Sequence, residues 1–505
     1  MSFKKIIALA IACASLLGFA GVASAQQTYE INIYGASAQF LFWETEAPMF
    51  LNSVIGCAQA NINQARFDDK NGITMATGCP GANDTIIIRY SAKASFDGIQ
   101  SLKGIDINAQ NPEKCIASCP EYPGAQLAPY YRQMFDETST NPAITWVNPF
   151  PAFGGWLPAC PPPGAIPNSG RLACAKVIIG ASDVEGEEFE QSTRGYLKGP
   201  LGGKLAVPDR VFNRIDTTGL EFYQPLIVPF AFFVNKNTVM RCYDDELSTT
   251  PVWTWINGTG NFNPTSFANC DPLKQKTLSD ISRMMAVLIF SGQVFNWTDF
   301  GDDFATHPIN KCLRHAGSGT HATLDHAVMH APWGGTILGL GTENQQPSNQ
   351  PGTYFNDGSS DMMKCINGGY TRNYDDGPQN GGPLDGANWS GEGAIGYADA
   401  DQSLSSFTNT ARIFYNGYRA HRVNIRNCRY DNFWSVQHLY YDPASPEYLQ
   451  VAALVGQMMT FAANPNNVPQ CKADYWAAYD EMKCMKFDSH DYPIWIAPPA
   501  LPQLP

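Results

Sequence analysis

The segment Arg314-His315-Ala316-Gly317-Ser318-Gly319-Thr320 decides the fold predicted for this chain, and a helix-like run over residues 321–329 follows it. Two glycines flank a serine, so the backbone can turn tightly and direct successive N–H groups at one point. The positive end of the following helix adds to these dipoles, which suits the turn to an anion. Hydroxyl donors at Ser318 and Thr320 and the planar guanidinium of Arg314 favour a tetrahedral oxyanion. Many similar turns only connect a loop to a helix, so the prediction depends on the rest of the chain.

Three earlier segments each have an apolar run that ends in small or polar residues. Residues 29–34 alternate as a strand does, residues 85–90 form a continuous β-branched run, and residues 175–180 repeat that pattern. Helical spacing follows over residues 40–54 and 99–103. Alternating strands and helices predict an α/β fold, in which ligands bind at the carboxyl ends of strands. The segments that fall at such ends are residues 35–40, 91–98, 181–183 and 314–320.

Further along the chain, residues 226–234 are long and apolar enough for a strand that crosses between two domains, and residues 393–397 are the candidate to cross back. Helices are predicted over residues 278–290, with Ser279 as the N-cap, and over residues 446–462. Insertions rich in Pro, Gly, Asn and Cys separate these elements, and we expect them to be surface loops held by disulfides: residues 104–174, 243–277 and 341–392.

The N-terminus has the pattern of a secretory signal peptide. Lys4 and Lys5 precede an apolar run over residues 6–17, and Ala23-Ser24-Ala25 is a small-residue cleavage site. We therefore expect residues 1–25 to be removed after Ala25 and the protein to be exported to the periplasm. The net charge of −13 argues against nucleic acid and anionic membranes as partners.

Export permits disulfides between the 14 cysteines. No CxxCH haem motif or paired CxxC zinc pattern is present, which disfavours haem or metal binding by these cysteines. Connectivity does not follow from sequence, but proximity along the chain suggests five pairs: Cys57–Cys79, Cys160–Cys174, Cys242–Cys270, Cys312–Cys365 and Cys471–Cys484.

Taken in order, these segments resemble the periplasmic phosphate-binding proteins of ABC phosphate importers. Gly180-Ala181-Ser182-Asp183 matches the family's Gly-Ala-Ser-Asp without change, and residues 314–320 correspond to its Arg-x-Asp-Gly-Ser-Gly-Thr. Residues 35–40 are similar to its Gly-Ala-Gly-Ala-Thr-Phe turn, and residues 94–99 to its Gly-Ser-Gly-Gly-Gly-Ile segment. Residues 290–297 and 393–397 match two further family segments. Three departures stand out: Gln39 replaces a threonine, Ala316 replaces an aspartate, and the segment around Ser95 is bulkier.

The resemblance implies a type II periplasmic-binding-protein fold, with two mixed-sheet lobes joined by two crossing strands and the ligand in the cleft. Lobe I would comprise residues 26–230 and 398–505, and lobe II residues 231–397. The resemblance also implies no catalytic residue, metal or cofactor, and a monomer that delivers phosphate, or a close oxyanion, to an ABC permease in the inner membrane. The phosphate contacts it implies come from Gln39, the Phe40 backbone N–H, Ser95, Asp183, Arg314, Ser318, the Gly319 backbone N–H and Thr320.

Asp183 is the candidate for selectivity between oxyanions. Phosphate near neutral pH retains a proton that a buried carboxylate can accept, whereas sulfate has none and would face an unmatched like charge. The alternative is that Asp183 only caps the acidic turn that follows it, which contains Glu185, Glu187 and Glu188.

Two other functions stay open at this point. His326 and His330 are four residues apart, a spacing that suits a metal and would fit an exported metal-dependent phosphoester hydrolase, although no HExxH pattern supports it. The aromatic cluster that includes Phe433, Trp434 and Trp476 is expected to pack in the core, with sugar binding as its alternative. A structural or adhesive protein that keeps only a vestigial anion site would also explain the insertions.

Overall fold

The computed structural model describes residues 26–80, 84–104, 130–152, 165–189, 191–193, 210–212, 214–243, 266–314, 317–330, 353–356, 358–368, 390–486 and 494–495. The predicted signal peptide, Cys160, His315 and Ala316 lie outside these residues. Among the helices that the structure describes, none is long and apolar enough to cross a membrane.

The strands, numbered β1 to β24 in chain order, are Thr28–Gly35, Ile62–Asp68, Asn71–Cys79, Asp84–Ala92, Tyr131–Phe135, Leu172–Lys176, Ile179–Ser182, Gln191–Thr193, Arg210–Phe212, Glu221–Tyr223, Leu226–Asn235, Met240–Cys242, Gln275–Thr277, Asp280–Ile281, Asn310–Arg314, Thr353–Asn356, Ala394–Asp399, Thr410–Arg412, Phe414–Tyr415, Trp434–Val436, His438–Tyr441, Ala477–Ala478, Cys484–Met485 and Ile494–Trp495.

The α-helices, numbered α1 to α8, are Phe40–Ser53, Ser95–Lys103, Pro149–Ala152, Arg283–Phe290, Gly319–Thr323, Ser359–Asn367, Arg422–Arg426 and Pro446–Ala462. A π-helical segment, Leu324–Met329, continues α5. Short 3₁₀ turns occupy Ser37–Gln39, Gln59–Asn61, Gly186–Glu188, Phe267–Asn269, Trp297–Phe300, Pro465–Asn467, Gln470–Lys472 and Tyr479–Glu481.

The first large sheet has the strand order β10-β21-β7-β1-β4-β3-β2. Its three central strands are parallel, since β1 pairs in parallel with both β4 and β7. The outer strands β3 and β21 pair antiparallel with this centre. The carboxyl ends of β1, β4 and β7 therefore meet at one edge of the sheet.

The second large sheet has the order β16-β15-β17-β11-β18, with β20 and β22 also pairing with β11. All ten residues of β11 are buried, as the unbroken apolar run at residues 226–234 predicts. Buried side chains of both sheets, among them Ile31 and Phe232, belong to one continuous hydrophobic core. The predicted α/β class with two mixed-sheet lobes is confirmed. The lobe boundaries stay a prediction, and β18, from a segment assigned to lobe I, pairs in this second sheet.

Several element predictions agree closely with the structure, while two need correction. Helix α8 and its N-cap Ser445 lie where the spacing predicts them. The helix predicted over residues 278–290 begins only at Arg283, because residues 280–281 form β14 beside β19. The Ser282 side chain caps that helix, not Ser279. The strand predicted over residues 175–180 is two strands, β6 and β7, with a break at residues 177–178.

Three of the suggested disulfides are present: Cys57–Cys79, Cys242–Cys270 and Cys312–Cys365. The suggested Cys471–Cys484 bond is wrong, since Cys484 is bonded to Cys428 and joins β23 to the turn after α7. Proximity along the chain failed here because the partner comes from a residue 56 positions earlier. The described part of the 104–174 insertion also contains the β5–β6 hairpin, where only loops were expected.

Candidate functional site

The parallel strands of the first sheet end together, which brings their following residues to one place. Gly35 at the end of β1 lies beside Ala92 of β4 and Ala181 of β7 in the strand register. The backbone N–H of Ala36 donates to Ala181 O at 2.9 Å, which fixes the turn after β1. The side chains that follow these ends, at Ser95 and Asp183, are thus held by rigid strands and not by long loops.

Ser95 and Asp183 form a reciprocal pair of hydrogen bonds. The Ser95 hydroxyl donates to Asp183 Oδ2 at 3.1 Å, and the Asp183 backbone N–H donates to Ser95 Oγ at 3.2 Å. Both residues are buried, so these bonds form in an environment of low polarity. While Asp183 is ionised, the only hydroxyl hydrogen of Ser95 is directed at its carboxylate.

Gly319 brings the predicted anion turn of the second lobe directly against this pair. A Cβ atom at Gly319 would lie 2.3 Å from Ser95 Oγ and 2.6 Å from Asp183 Oδ2, so no side chain fits there. The backbone N–H of Phe96 also donates to Gly317 O at 3.4 Å. Segments more than 130 residues apart in sequence, at Asp183 and at Gly319, therefore meet in a single site, and the acidic turn after Asp183 does not hold it away.

Asp183 has an unusual pKa for an aspartate. Burial raises the pKa of this carboxyl from 3.8 to about 7, and the negative charge of Asp399 raises it further. Hydrogen bonds from the side chains of Gln437 and Ser95, and the positive charge of Arg314, act in the opposite direction. Asp183 can therefore change between acceptor and donor near neutral pH.

Arg314 ends strand β15 and is 3% exposed. Its guanidinium donates from Nη1 to Ser359 Oγ at 2.8 Å, while its backbone N–H donates to the Tyr397 hydroxyl at 3.1 Å. Tyr397 in turn contacts His321 Nδ1. Because the Tyr397 oxygen accepts from Arg314, its own hydrogen is available for the imidazole. Arg314 is thus a buried cation whose main chain and side chain are both fixed.

The other predicted contacts fall into two groups. Ser318 and Thr320 are buried at the start of α5, and the Ser318 side chain makes no capping hydrogen bond, so its hydroxyl is not used by the helix. The Phe40 backbone N–H donates to Ser37 O within the short turn before α1. The Gln39 side chain is fully buried and bonds to Gln437, so it reaches the site only through that residue.

Gln437, Ser435 and Asp399 surround the site but were not predicted from the sequence. The Ser435 hydroxyl donates to the backbone oxygen of Asp183, and Gln437 lies next to the same residue. One signal was present, because Ser435 and Gln437 alternate with apolar residues in the aromatic-rich run at residues 433–441. Polar residues at alternate positions of a buried strand point to a polar site on one face.

The histidines after the anion turn have structural contacts. His321 lies between Tyr397 and Asp325, with Nε2 3.4 Å from Asp325 Oδ2. His326 Nε2 bonds to Glu188 O at 2.8 Å. The helix-face argument for His326 and His330 is wrong, because the segment is π-helical and His330 lies past its end in a left-handed conformation. Within the described residues, no group of three or more His, Cys, Asp or Glu is arranged to hold a metal.

Comparisons with known proteins were made on the whole chain. Among solved structures, a periplasmic phosphate-binding protein named PfluDING is 12% identical, with 88% of this chain and 89% of that chain covered and a TM-score of 0.39. A candidate phosphate ABC transporter substrate-binding protein from Clostridium perfringens is 12% identical (87% and 94% covered, TM-score 0.37). A phosphate-binding protein from Stenotrophomonas maltophilia is 10% identical (87% and 84% covered, TM-score 0.37). Scores this low carry no argument about fold or function.

The sequence comparisons are more restricted. No curated protein matches the chain. Residues 226–454, which contain β11, the anion turn, Asp399 and Gln437, match the model of the PBP superfamily domain. Residues 226–454 therefore belong to the PBP superfamily, which confirms at that level the family predicted from the sequence.

Proposed function

We propose that this chain is an exported solute-binding protein that captures inorganic phosphate, or a close tetrahedral oxyanion, in the periplasm. The observation that carries the proposal is the meeting of Ser95 and Asp183 with the Gly317-Ser318-Gly319 turn, next to the buried charge of Arg314. A small tetrahedral anion needs several donors that converge from different directions and at least one cation. Hydroxyls, backbone N–H groups and a guanidinium from two lobes supply that set.

Asp183 supports phosphate over sulfate as the ligand. An ionised carboxylate among donors accepts a hydrogen bond only from a protonated oxyanion, and it repels a fully ionised one. At about pH 8 most of Asp183 is ionised, given its pKa of about 7, so protonated oxyanions are favoured. Arsenate retains a proton as phosphate does and should bind in the same way.

Delivery to an ABC permease of the inner membrane, by a monomer, completes the proposal. Two lobes that close over one anion exclude water and strengthen each polar contact. The proposed role is binding without chemistry, and a phosphatase assay with added divalent metals tests the hydrolase alternative. Sedimentation of the purified protein tests the monomer.

Calorimetric titration of the natively purified protein with phosphate, arsenate, sulfate and molybdate tests the function. We expect binding of phosphate or arsenate, and sulfate binding that is weaker by about tenfold or more, since mismatching a buried charged partner costs about 2 kcal/mol or more. Asp183→Asn should reduce the phosphate-to-sulfate ratio, because an amide can donate to either anion.

The matched control is Asp69→Asn, the same chemical change at a side chain that is 93% exposed in the same sheet's β2–β3 turn. It should leave both affinities unchanged. Absence of binding to all four anions would contradict the proposed function and favour the vestigial-site alternative. An unchanged ratio in Asp183→Asn would contradict the selectivity role alone.

A further inference from the structure

Two buried glutamines connect Asp183 to a tryptophan in the first lobe. The indole N–H of Trp43 donates to Gln39 Oε1 at 3.1 Å, and Gln39 Nε2 donates to Gln437 Oε1 at 2.6 Å. Both glutamines have no exposed surface, and Trp43 is 2% exposed. Gln437 comes from the loop between β20 and β21, on the far side of the chain from Gln39 in sequence.

The tryptophan fixes the orientation of both amides. An indole N–H can only donate, so Gln39 must present its carbonyl oxygen to Trp43. Its NH₂ group then faces Gln437, which must accept through its own oxygen. Gln437 is left with its NH₂ group on the opposite side, where it donates to Ser435 Oγ at 3.4 Å and lies next to Asp183. Reversing either amide would bring two donors together in a buried site, which is unfavourable.

We propose that Trp43, Gln39 and Gln437 form a relay that directs an amide N–H donor at the Asp183 carboxyl and thereby keeps it an acceptor. Gln437 is then a positioning residue that sets oxyanion selectivity, and this inference rests on the proposed function. An N–H donor stabilises the ionised carboxylate more than the neutral acid. The ionised form is the one that discriminates a protonated oxyanion from sulfate.

The relay acts against other groups that face Asp183. Asp399, from the end of β17, disfavours ionisation through its charge, and burial does the same. Arg314 of β15 and the Ser95 hydroxyl of α2 favour ionisation. Tyr90 of β4 faces the same carboxyl, and its hydroxyl donates to Ala36 O. Since Arg314 and Ser95 are also expected to contact the ligand, the relay is the stabilising group that stays in place whether or not an anion is bound.

Gln437→Met tests the relay, because methionine has a similar shape but no donor. We expect phosphate binding to persist while the phosphate-to-sulfate affinity ratio at about pH 7.5 falls by roughly tenfold, the usual weight of one hydrogen bond to a charged group. The pH at which discrimination is lost should move upward. The measurement is calorimetry of both anions between about pH 5.5 and 8.5. The ligand protonates identically for both proteins, so the difference between their profiles reports the protein alone.

Gln64→Met is the matched control. Gln64 is also a buried glutamine of the first lobe, 2% exposed, but it donates to Glu44 O and Thr74 Oγ1, which are not part of the relay. It should lower thermal stability without moving the pH profile.

A second variant covers the case in which Gln437→Met does not fold. Trp43→Phe removes the donor that orients Gln39 but leaves Gln437 in place, and it should move the pH profile upward by a smaller amount. The relay is overturned if the folded variants of Trp43 and Gln437 keep the wild-type ratio and midpoint. If instead the wild-type protein binds no oxyanion, the proposed function fails, which is a different result.

Discussion

Gly319 shows how a single missing side chain permits the site. The residue has an ordinary helical backbone conformation, so glycine is not needed there for its own torsion angles. It is needed because the first lobe approaches so closely that a methyl group would overlap Ser95 and Asp183. The requirement therefore comes from the contact between lobes.

We expect Gly319→Ala to fold but to lose oxyanion affinity by about tenfold or more, since overpacking a tight contact costs about 1–3 kcal/mol. Titration calorimetry measures the loss. Gly456→Ala is the control, because a Cβ there meets only Tyr223 Oη at 3.9 Å, an ordinary contact. It should bind normally and be slightly more stable, as a helical glycine replaced by alanine usually is. Equal binding by both variants would show that the lobes do not need this close approach.

At this scale the sequence predicts residues that follow strand ends, but not residues that act through others. Ser95, Asp183 and Gly319 lie where the strand-end rule and the family motifs put them. Gln437 could not be predicted, because its role depends on a bond to Gln39 across 398 positions of sequence. The altered residue at position 39 was interpreted as a donor to the ligand, whereas its amide is committed to Trp43 and Gln437.

Helix α4 illustrates how elements are delimited by their neighbours. Apolar spacing over residues 278–290 is compatible with one long helix, yet β19 captures residues 280–281 as a parallel strand partner. Ser279 then bonds through its hydroxyl to Tyr243 Oη at 3.1 Å, and the Ser282 hydroxyl accepts from the Met285 N–H at 3.2 Å. Tertiary pairing overrides local propensity here, and no local pattern signals it.

Ser282→Ala should destabilise the protein by about 1 kcal/mol, the usual effect of removing an N-cap. Hydrogen exchange in the first turn of α4 should rise in this variant. Ser279→Ala, the residue that the sequence pattern favours as the cap, should leave exchange in that turn unchanged. The opposite result would mean that the helix begins earlier than the structure has it.

For the whole molecule, the burial of Asp183 links stability to pH. Its pKa is about 7 in the folded protein and 3.8 as a free side chain, so between these values the folded state binds a proton that the unfolded state does not. This contribution to stability is complete below about pH 4 and is lost as the pH rises through about 7.

Asp183→Asn removes that loss. We therefore expect the variant to be more stable than the wild type at about pH 8, with a smaller difference at about pH 5.5. Chemical unfolding at both pH values measures the two free energies. A difference that does not change with pH would mean that Asp183 titrates as an exposed aspartate. The same variant should be poorer at selecting phosphate, so stability and selectivity would change in opposite directions.

The arrangement of the whole chain was partly predictable. Continuous apolar runs identify β4, β7 and β11 as buried strands, because both faces of such strands are covered. The pairing of β18, β20 and β22 with β11 was not predictable, since these short strands carry little pattern of their own and are selected by the exposed edge of a strand formed elsewhere. The β5–β6 hairpin likewise lies in a segment whose composition favours loops.

Strand β11 has a consequence for biogenesis. Each strand that pairs with it, namely β17, β18, β20 and β22, comes later in the chain, and the last of them is only two residues long near residue 477. During synthesis and translocation this ten-residue apolar strand therefore emerges with nothing to hydrogen-bond to until most of the polypeptide has followed. Such a segment invites self-association. A chain of this design benefits from being kept extended by the export machinery until its C-terminal third arrives.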